Sequence, residues 1–301
     1  MNRPARGSVS PGMRTVILLA LMTSSLAALA QPRPHHGRHR ERRWNDERPT
    51  RVDFSRVQLA CEGAFFSSLD RQRCLQLASR VRFEATATIE ACRAAMFHSS
   101  DRLDCLEATL TDGADLSRSV AACDRALFSD RDVKQCVQAI GWIGRDLSAS
   151  VETCDRAVFS DAEVSRCVQA VAQSGRELAG VVEACDRAVF SDAAVMQCVQ
   201  TVAQSGRDLS DAVTACDRAL FSDADVQRCV ARIASSERCH GARSAELVSA
   251  CDAAMFSDGD VQRCVDAAVE LGPRAAEVVR ACDRSRFSDA DVLACVAGFG
   301  Q

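Results

Sequence analysis

Cysteine is the residue type here whose number and spacing could do chemistry. Seventeen occur in the chain. Sixteen fall into Cys-x12-Cys pairs: Cys61 with Cys74, Cys92 with Cys105, Cys123 with Cys136, Cys154 with Cys167, Cys185 with Cys198, Cys216 with Cys229, Cys251 with Cys264 and Cys282 with Cys295. Such thiols could be oxidised partners, metal ligands or nucleophiles. Structural zinc sites use tight pairs such as Cys-x2-Cys with matching Cys or His nearby, and no such spacing occurs. Disulfides fit best. Two connectivities compete. Cys154 with Cys167 ties a chain segment across its own turn, whereas Cys167 with Cys185 would tie neighbouring units across the Gly175 loop. The first leaves only Cys239 over; the second also strands Cys61 and Cys295, so the first is favoured. Each bridge then closes a fourteen-residue loop, worth about 3 kcal/mol on the chain-entropy estimate.

Other candidate chemistry is weaker. Cys239 and His240 lie in the segment Ser-Ser-Glu-Arg-Cys-His-Gly-Ala-Arg-Ser at 235–244. A nucleophile needs a base positioned in space and a third group to orient that base, which adjacent residues do not supply. Cys239 is either an incidental thiol or an intermolecular one, the link in a disulfide-joined homodimer or the tether to a partner. Gels run with and without reductant discriminate these: a linked wild type runs as a dimer only without reductant, and Cys239→Ser runs as a monomer in both. Acidic pairs such as Asp130 with Asp132, Asp223 with Asp225, Asp258 with Asp260 and Asp289 with Asp291 have the D-x-D spacing of calcium ligands. No unit has the further oxygen ligands and Gly turn of an EF-hand loop. We expect no metal, no cofactor and no catalytic residue, and hence not an enzyme.

The pairs define the architecture that positions them. First cysteines recur every 31 residues, with one step of 35 between Cys216 and Cys251. A fixed period of this size is the signature of a solenoid. Leu116, Val120, Cys123 and Leu127 make one apolar stripe of a first helix, and Val133, Cys136, Val137 and Ile140 one of a second. Both helices carry their cysteine on that stripe. The fold class is therefore all-α: eight αα-hairpins of about 31 residues, each closed by its own disulfide.

The turn is punctuated alike in every unit. Phe stands five residues after the first cysteine in all eight: Phe66, Phe97, Phe128, Phe159, Phe190, Phe221, Phe256 and Phe287. Ser follows in seven, His98 in the other. With Ser160 as N-cap, Glu163 completes a capping box, and Phe159 and Val164 fall where a hydrophobic staple belongs. Asp161 suits the positive end of the helix dipole. Gly113, Gly144, Gly175, Gly206 and Gly272 read as C′ residues ending the second helix. Asp124, Asp155, Asp186, Asp217, Asp252 and Asp283 follow the first cysteine, and Arg125, Arg156, Arg187, Arg218 and Arg284 follow five of them. These columns should form ion pairs between repeats, with Arg145, Arg176 and Arg207 as further partners. A charged ladder reading a repetitive ligand is the alternative. Glu152–Arg156 and Glu183–Arg187 have helpful i,i+4 spacing. Arg71 and Arg102 replace the staple valine in the first two units, and Phe54, Phe65 and Phe83 add bulk there, as an end cap would.

Residues 1–30 combine Arg3, Arg6 and Arg14 with an apolar run ending Ala28-Leu29-Ala30, the pattern of a signal peptide. Residues 31–52 hold seven arginines, three acids and His35, His36 and His39, and read as a disordered basic arm. Residues 53–301 form the disulfide-rich repeat domain, with units beginning near 53, 84, 115, 146, 177, 208, 243 and 274. That domain carries 27 basic against 38 acidic groups, near −11. Nucleic acid is not its partner, since phosphate contacts need Lys and Arg, and Lys134 is the single lysine of the chain. In layout the chain resembles disulfide-stapled αα-hairpin repeat proteins, such as the cysteine-rich relatives of Sel1-like repeats. Its unit C-D-R-A-x-F-S-D-x-D-V-x-x-C-V departs from their longer Gly/Ala-rich one, so no residue role is carried over. The expected function is an exported, non-catalytic scaffold, periplasmic or extracellular, that binds a protein or cell-envelope partner. A structural spacer joined through Cys239 is the alternative, and an enzyme regulator comes third. No segment after the signal is read as crossing a membrane.

Overall fold

Sixteen helices in eight antiparallel pairs follow from those stripes in a computed structural model, which describes residues 54–300 apart from 112, 239–241 and 287. The first helices of the units are α1 (Phe54–Ala64), α3 (Thr86–Ala95), α5 (Ser117–Ala126), α7 (Ser148–Ala157), α9 (Ala179–Ala188), α11 (Ser210–Ala219), α13 (Ala242–Ala254) and α15 (Ala275–Ser285). The second helices are α2 (Ser68–Ala78), α4 (Ser99–Thr109), α6 (Asp130–Ile143), α8 (Asp161–Ser174), α10 (Asp192–Ser205), α12 (Asp223–Ser235), α14 (Asp258–Ala268) and α16 (Asp289–Gly298). Odd helices pack on odd and even on even along the array, so two helical layers enclose one continuous core. A lone hairpin cannot bury its stripe on both sides, and stacking supplies the missing neighbour. The expected signal peptide, the basic arm, Cys239, His240 and Phe287 fall outside the described residues. Among the described residues no helix is long and apolar enough to cross a membrane.

All eight disulfides close within their own hairpins. Cys61 bonds Cys74, Cys92 bonds Cys105, Cys123 bonds Cys136 and Cys154 bonds Cys167. Cys185 bonds Cys198, Cys216 bonds Cys229, Cys251 bonds Cys264 and Cys282 bonds Cys295. The competing link across the Gly175 loop, Cys167 to Cys185, is not made. The cysteines of the inner repeats are fully buried between the layers, together with Leu116, Val120, Leu127, Val133, Val137 and Ile140. Bridges of this number belong to an oxidising environment. The four-residue insertion after α12 is absorbed before and within α13, which has 13 residues where α11 has 10. Stacking then resumes in register.

The second helices end as expected at Gly144, Gly175 and Gly206, whose φ values of 65–67° lie in the left-handed region that a side chain disfavours. Gly113 departs from that expectation. The helix α4 stops at Thr109, and Gly113 is not left-handed. Its hydrogen is needed elsewhere, because a Cβ there would lie 2.8 Å from the Gly144 carbonyl oxygen. Gly141 is tighter still: a Cβ would sit 2.3 Å from the carbonyl oxygen of Ala108, so glycine sets how closely α6 approaches α4. Gly272 is left-handed inside a short 3-10 turn, Val269–Arg274, that links the last two units.

Buried hydroxyls fasten successive units. The Leu147 amide donates to Ser119 Oγ at 2.9 Å, and that hydroxyl donates to Asp146 Oδ1 at 2.7 Å. One unit on, the Leu178 amide donates to Ser150 Oγ, and Ser150 donates to Glu177. Thr88 donates likewise to Asp115 at 2.9 Å. Burial pushes the Asp146 carboxyl up, but the donated bonds from Ser119 and Ser148 outweigh it and hold its pKa below the ordinary carboxylate value. A carboxylate depressed on folding adds stability above its unfolded value and loses it as pH falls through the folded one. Ser119→Ala should therefore lower the opening free energy at this junction by about 1–3 kcal/mol at neutral pH, mostly through the orphaned Leu147 amide. The gap to wild type should narrow, without closing, as pH drops below the usual carboxylate range. Native-state hydrogen exchange across α5 and α7 measures both.

Candidate binding surface

The turn between the two helices of a unit is built from four residues, here Val158-Phe159-Ser160-Asp161. Ser160 caps α8, its Oγ accepting from the Glu163 amide. Seven units cap in this way through Ser67, Ser129, Ser160, Ser191, Ser222, Ser257 and Ser288, and His98 makes no side-chain cap. The hydroxyl's own proton goes to the N3 carboxylate, as from Ser129 to Asp132 and from Ser222 to Asp225 at 2.6 Å. The D-x-D carboxylates at N3 are therefore occupied by their own caps.

The hydrophobic staple at Phe159 is overturned. Phe66, Phe97, Phe128, Phe159, Phe190, Phe221 and Phe256 are 83–96% exposed, while the residue before each is buried: Phe65, Met96, Leu127, Val158, Val189, Leu220 and Met255. Geometry explains the exchange. Val158 and Ser160 are both extended, and side chains alternate direction along extended chain. With Val158 directed into the core and Ser160 turned to cap α8, Phe159 between them must face solvent. The sequence signal was present in the apolar column one residue upstream, beside which the Phe column is redundant for packing.

A second device fixes the tips. The amide of Phe159 donates to Asp192 Oδ2 of the following unit at 3.0 Å. Phe128 reaches Asp161, Phe190 reaches Asp223 and Phe256 reaches Asp289 at 2.9–3.1 Å. Phe221 reaches Asp258 at 2.9 Å across the insertion, so the four extra residues leave this clamp intact. The N1 aspartates thus join units, beyond the dipole role read from sequence. In the first two units arginines take over the turn: Arg102 donates to the carbonyls of Met96 and Ala64, and Arg71 to that of Phe66. This gives the expected N-terminal substitutions a concrete bonding role. Phe65 is buried as bulk would be, whereas Phe54 is half-exposed.

The charged columns part company with expectation. Arg145 and Arg176 donate to the carbonyls of Gly175 and Gly206 one unit ahead, and Arg207 donates to those of Ile233, Ala234 and Ser236. They satisfy helix C-termini, where last-turn carbonyls lack partners. Arg125 crosses to Glu152 at 2.6 Å, and Arg187 pairs with Glu183 at 3.6 Å. Arg156 bonds the Glu152 carbonyl and Thr153. The partners are glutamates and backbone, not the aspartates beside the cysteines. Lys134 lies between Asp101 and Asp104 at 2.9 and 2.6 Å, and the hydrogen bonds it donates to Asp104 and then Asp101 raise its pKa. The sixteen paired cysteines, second members such as Cys105, Cys198, Cys229 and Cys264 included, are consumed as crosslinks and offer no thiol for other chemistry.

What the arrangement can do chemically is present an exposed aromatic ring in each of the first seven units, five of them on turns clamped by the unit that follows. Asp192→Ala should leave the disulfides and helices intact but speed amide exchange at Phe159 by about tenfold, the equivalent of 1.4 kcal/mol. Exchange at Phe128, whose clamp is Asp161, should stay unchanged. No family model matches the chain, and no curated protein is significantly similar to it.

Proposed function

We propose that this protein is an exported, non-catalytic repeat scaffold that binds a protein or cell-envelope partner through its row of Phe tips, in the periplasm or outside the cell. The single observation behind this reading is that row: seven rings, one in each of the first seven units, each almost wholly in water. Neither the core nor the caps need them, since the preceding residue fills the core and Ser makes the cap. Large exposed apolar groups repeated along one edge mark interaction sites. Seven Phe side chains would cover on the order of 1,000 Å², comparable with one partner's share of a standard interface. The oxidising environment implied by the eight bridges supports export.

The test is affinity capture from the native envelope or medium with the mature protein, beside Phe159→Ser/Phe190→Ser/Phe221→Ser. The triple variant should keep its helicity and crosslinks, and its affinity for the captured partner should fall about a hundredfold, at roughly 1 kcal/mol per ring. Capture by the variant equal to that by wild type would remove the row from the function.

A further inference from the structure

Away from the Phe tips, towards the other end of the hairpins, the even helices of the central units carry a surface unlike their flanks. In the flanking units the outer columns are charged and paired across helices: Arg73 with Glu107 between α2 and α4, and Arg232 of α12 with Asp266 of α14 and with Glu270 in the turn that follows α14. In register with Glu107 and Asp266, at the 31-residue step and the single 35-residue step, stand Gln138, Gln169 and Gln200. In register with Glu270 stand Trp142, Gln173 and Gln204. Gln76, Ala231, Arg80, Thr111 and Ser235 fill the remaining places of these two columns in the first seven units, so only the three central units carry a carboxamide or the indole in both columns at once, within a domain that is otherwise acidic.

Two adjoining grooves result. Between α6 and α8 lies one of about 450 Å³, with Ala139, Ile143 and Ala172 lining its apolar part and Trp142, Gln169 and Gln173 at its sides. Between α8 and α10 lies one of about 620 Å³, sharing Gln169 and Gln173 and adding Gln200 and Gln204 over Ala170 and Ala203. Arg166 is the one charged residue of the pair, and Glu163 engages it at 3.3 Å. Trp142 is 90% exposed, so its ring contributes little to the core.

We propose that this groove pair binds a neutral polysaccharide chain, one sugar ring lying on the Trp142 indole and the hydroxyls of that ring and its neighbours bonding to Gln169, Gln173, Gln200 and Gln204. The chemistry discriminates. A carboxamide both donates and accepts, as a hydroxyl does, whereas carboxylate only accepts and guanidinium only donates. A row of glutamines therefore pairs with a hydroxyl-rich ligand in any rotation of its O–H groups. Because the grooves carry no free carboxylate, they offer nothing to a cationic peptide. A pyranose has a flat C–H face that a single open indole face can cover, while a peptide side chain laid there would stay wet on its other side. Adjacent even helices stand about 8–10 Å apart, so a chain crossing α8 meets equivalent carboxamides on each side. This surface is separate from the Phe row and does not rest on it.

Binding is tested on the whole mature protein carrying Trp44→Phe, so that fluorescence reports Trp142 alone, with cellohexaose, maltohexaose and the hexamer of N-acetylglucosamine as probes. At least one should shift the emission saturably below about 1 mM, the weak end of specific affinity. Trp142→Ala, read by calorimetry, and Gln169→Glu/Gln173→Glu should each weaken binding at least tenfold with helicity and crosslinks unchanged. Added salt should have no effect, because no ion pair forms. The triple Phe→Ser variant should bind as wild type does. Inertness of all three glycans to about 1 mM, retention of binding by Trp142→Ala, or a response to an extended polar peptide with none to the glycans would each overturn the proposal.

Discussion

A crosslink that brackets a bend is the constraint on which the repeats depend. Thiols thirteen residues apart meet only if the chain reverses midway, and the reversal sets two helical stripes face to face. The unit that results is too small to bury both of its sides. It is also rigid enough to present the same sides to each neighbour. Stacking, the two-layer core and the repeating columns of surface residues all follow from that pair of properties. The aromatic fraction of the chain is only 5%, and most of the Phe lies outside the core. The interior is instead filled by Val, Leu, Ala and the disulfides themselves.

Between units the fastening is polar, and it runs in three tiers. Buried Ser and Thr hold the return loop of the next unit in the N-terminal half, with Val181 and Ala212 taking the corresponding places further on. Aspartates at the starts of the even helices hold the turn of the unit before. Arginines after the left-handed glycines hold the ends of the even helices in the unit ahead. Each tier uses a side chain of one unit to satisfy backbone of another, which leaves the outer faces of the helices unspent.

Much of this was legible in the residues. Cysteine spacing gave the hairpins and their pairing, because a helix period and a turn leave few solutions. Leu116, Val120 and Cys123 announced the buried stripe, and Ser160 with Glu163 announced the cap. The errors share a cause. Phe159 satisfied the one-dimensional rule for a staple, yet the residues on either side of it had stronger geometric demands, and alternation along extended chain decided the matter. Asp192 looked like a local helix-dipole group because its true partner lies 33 residues back in sequence. Arg176 looked like half of an ion pair because a free carbonyl has no signature in a sequence. Trp142 drew no notice, since one tryptophan in one unit only acquires meaning when its column partners prove to be Gln173, Gln204 and Glu270.

The aspartate clamp runs in one direction: every tip from Phe128 to Phe256 is held by the hairpin that comes after it. A chain emerging amino end first therefore sets each ring one module late, so that the newest loop is always the loosest. Polarity of this kind makes the array unequal at its two ends even where the modules themselves are nearly identical.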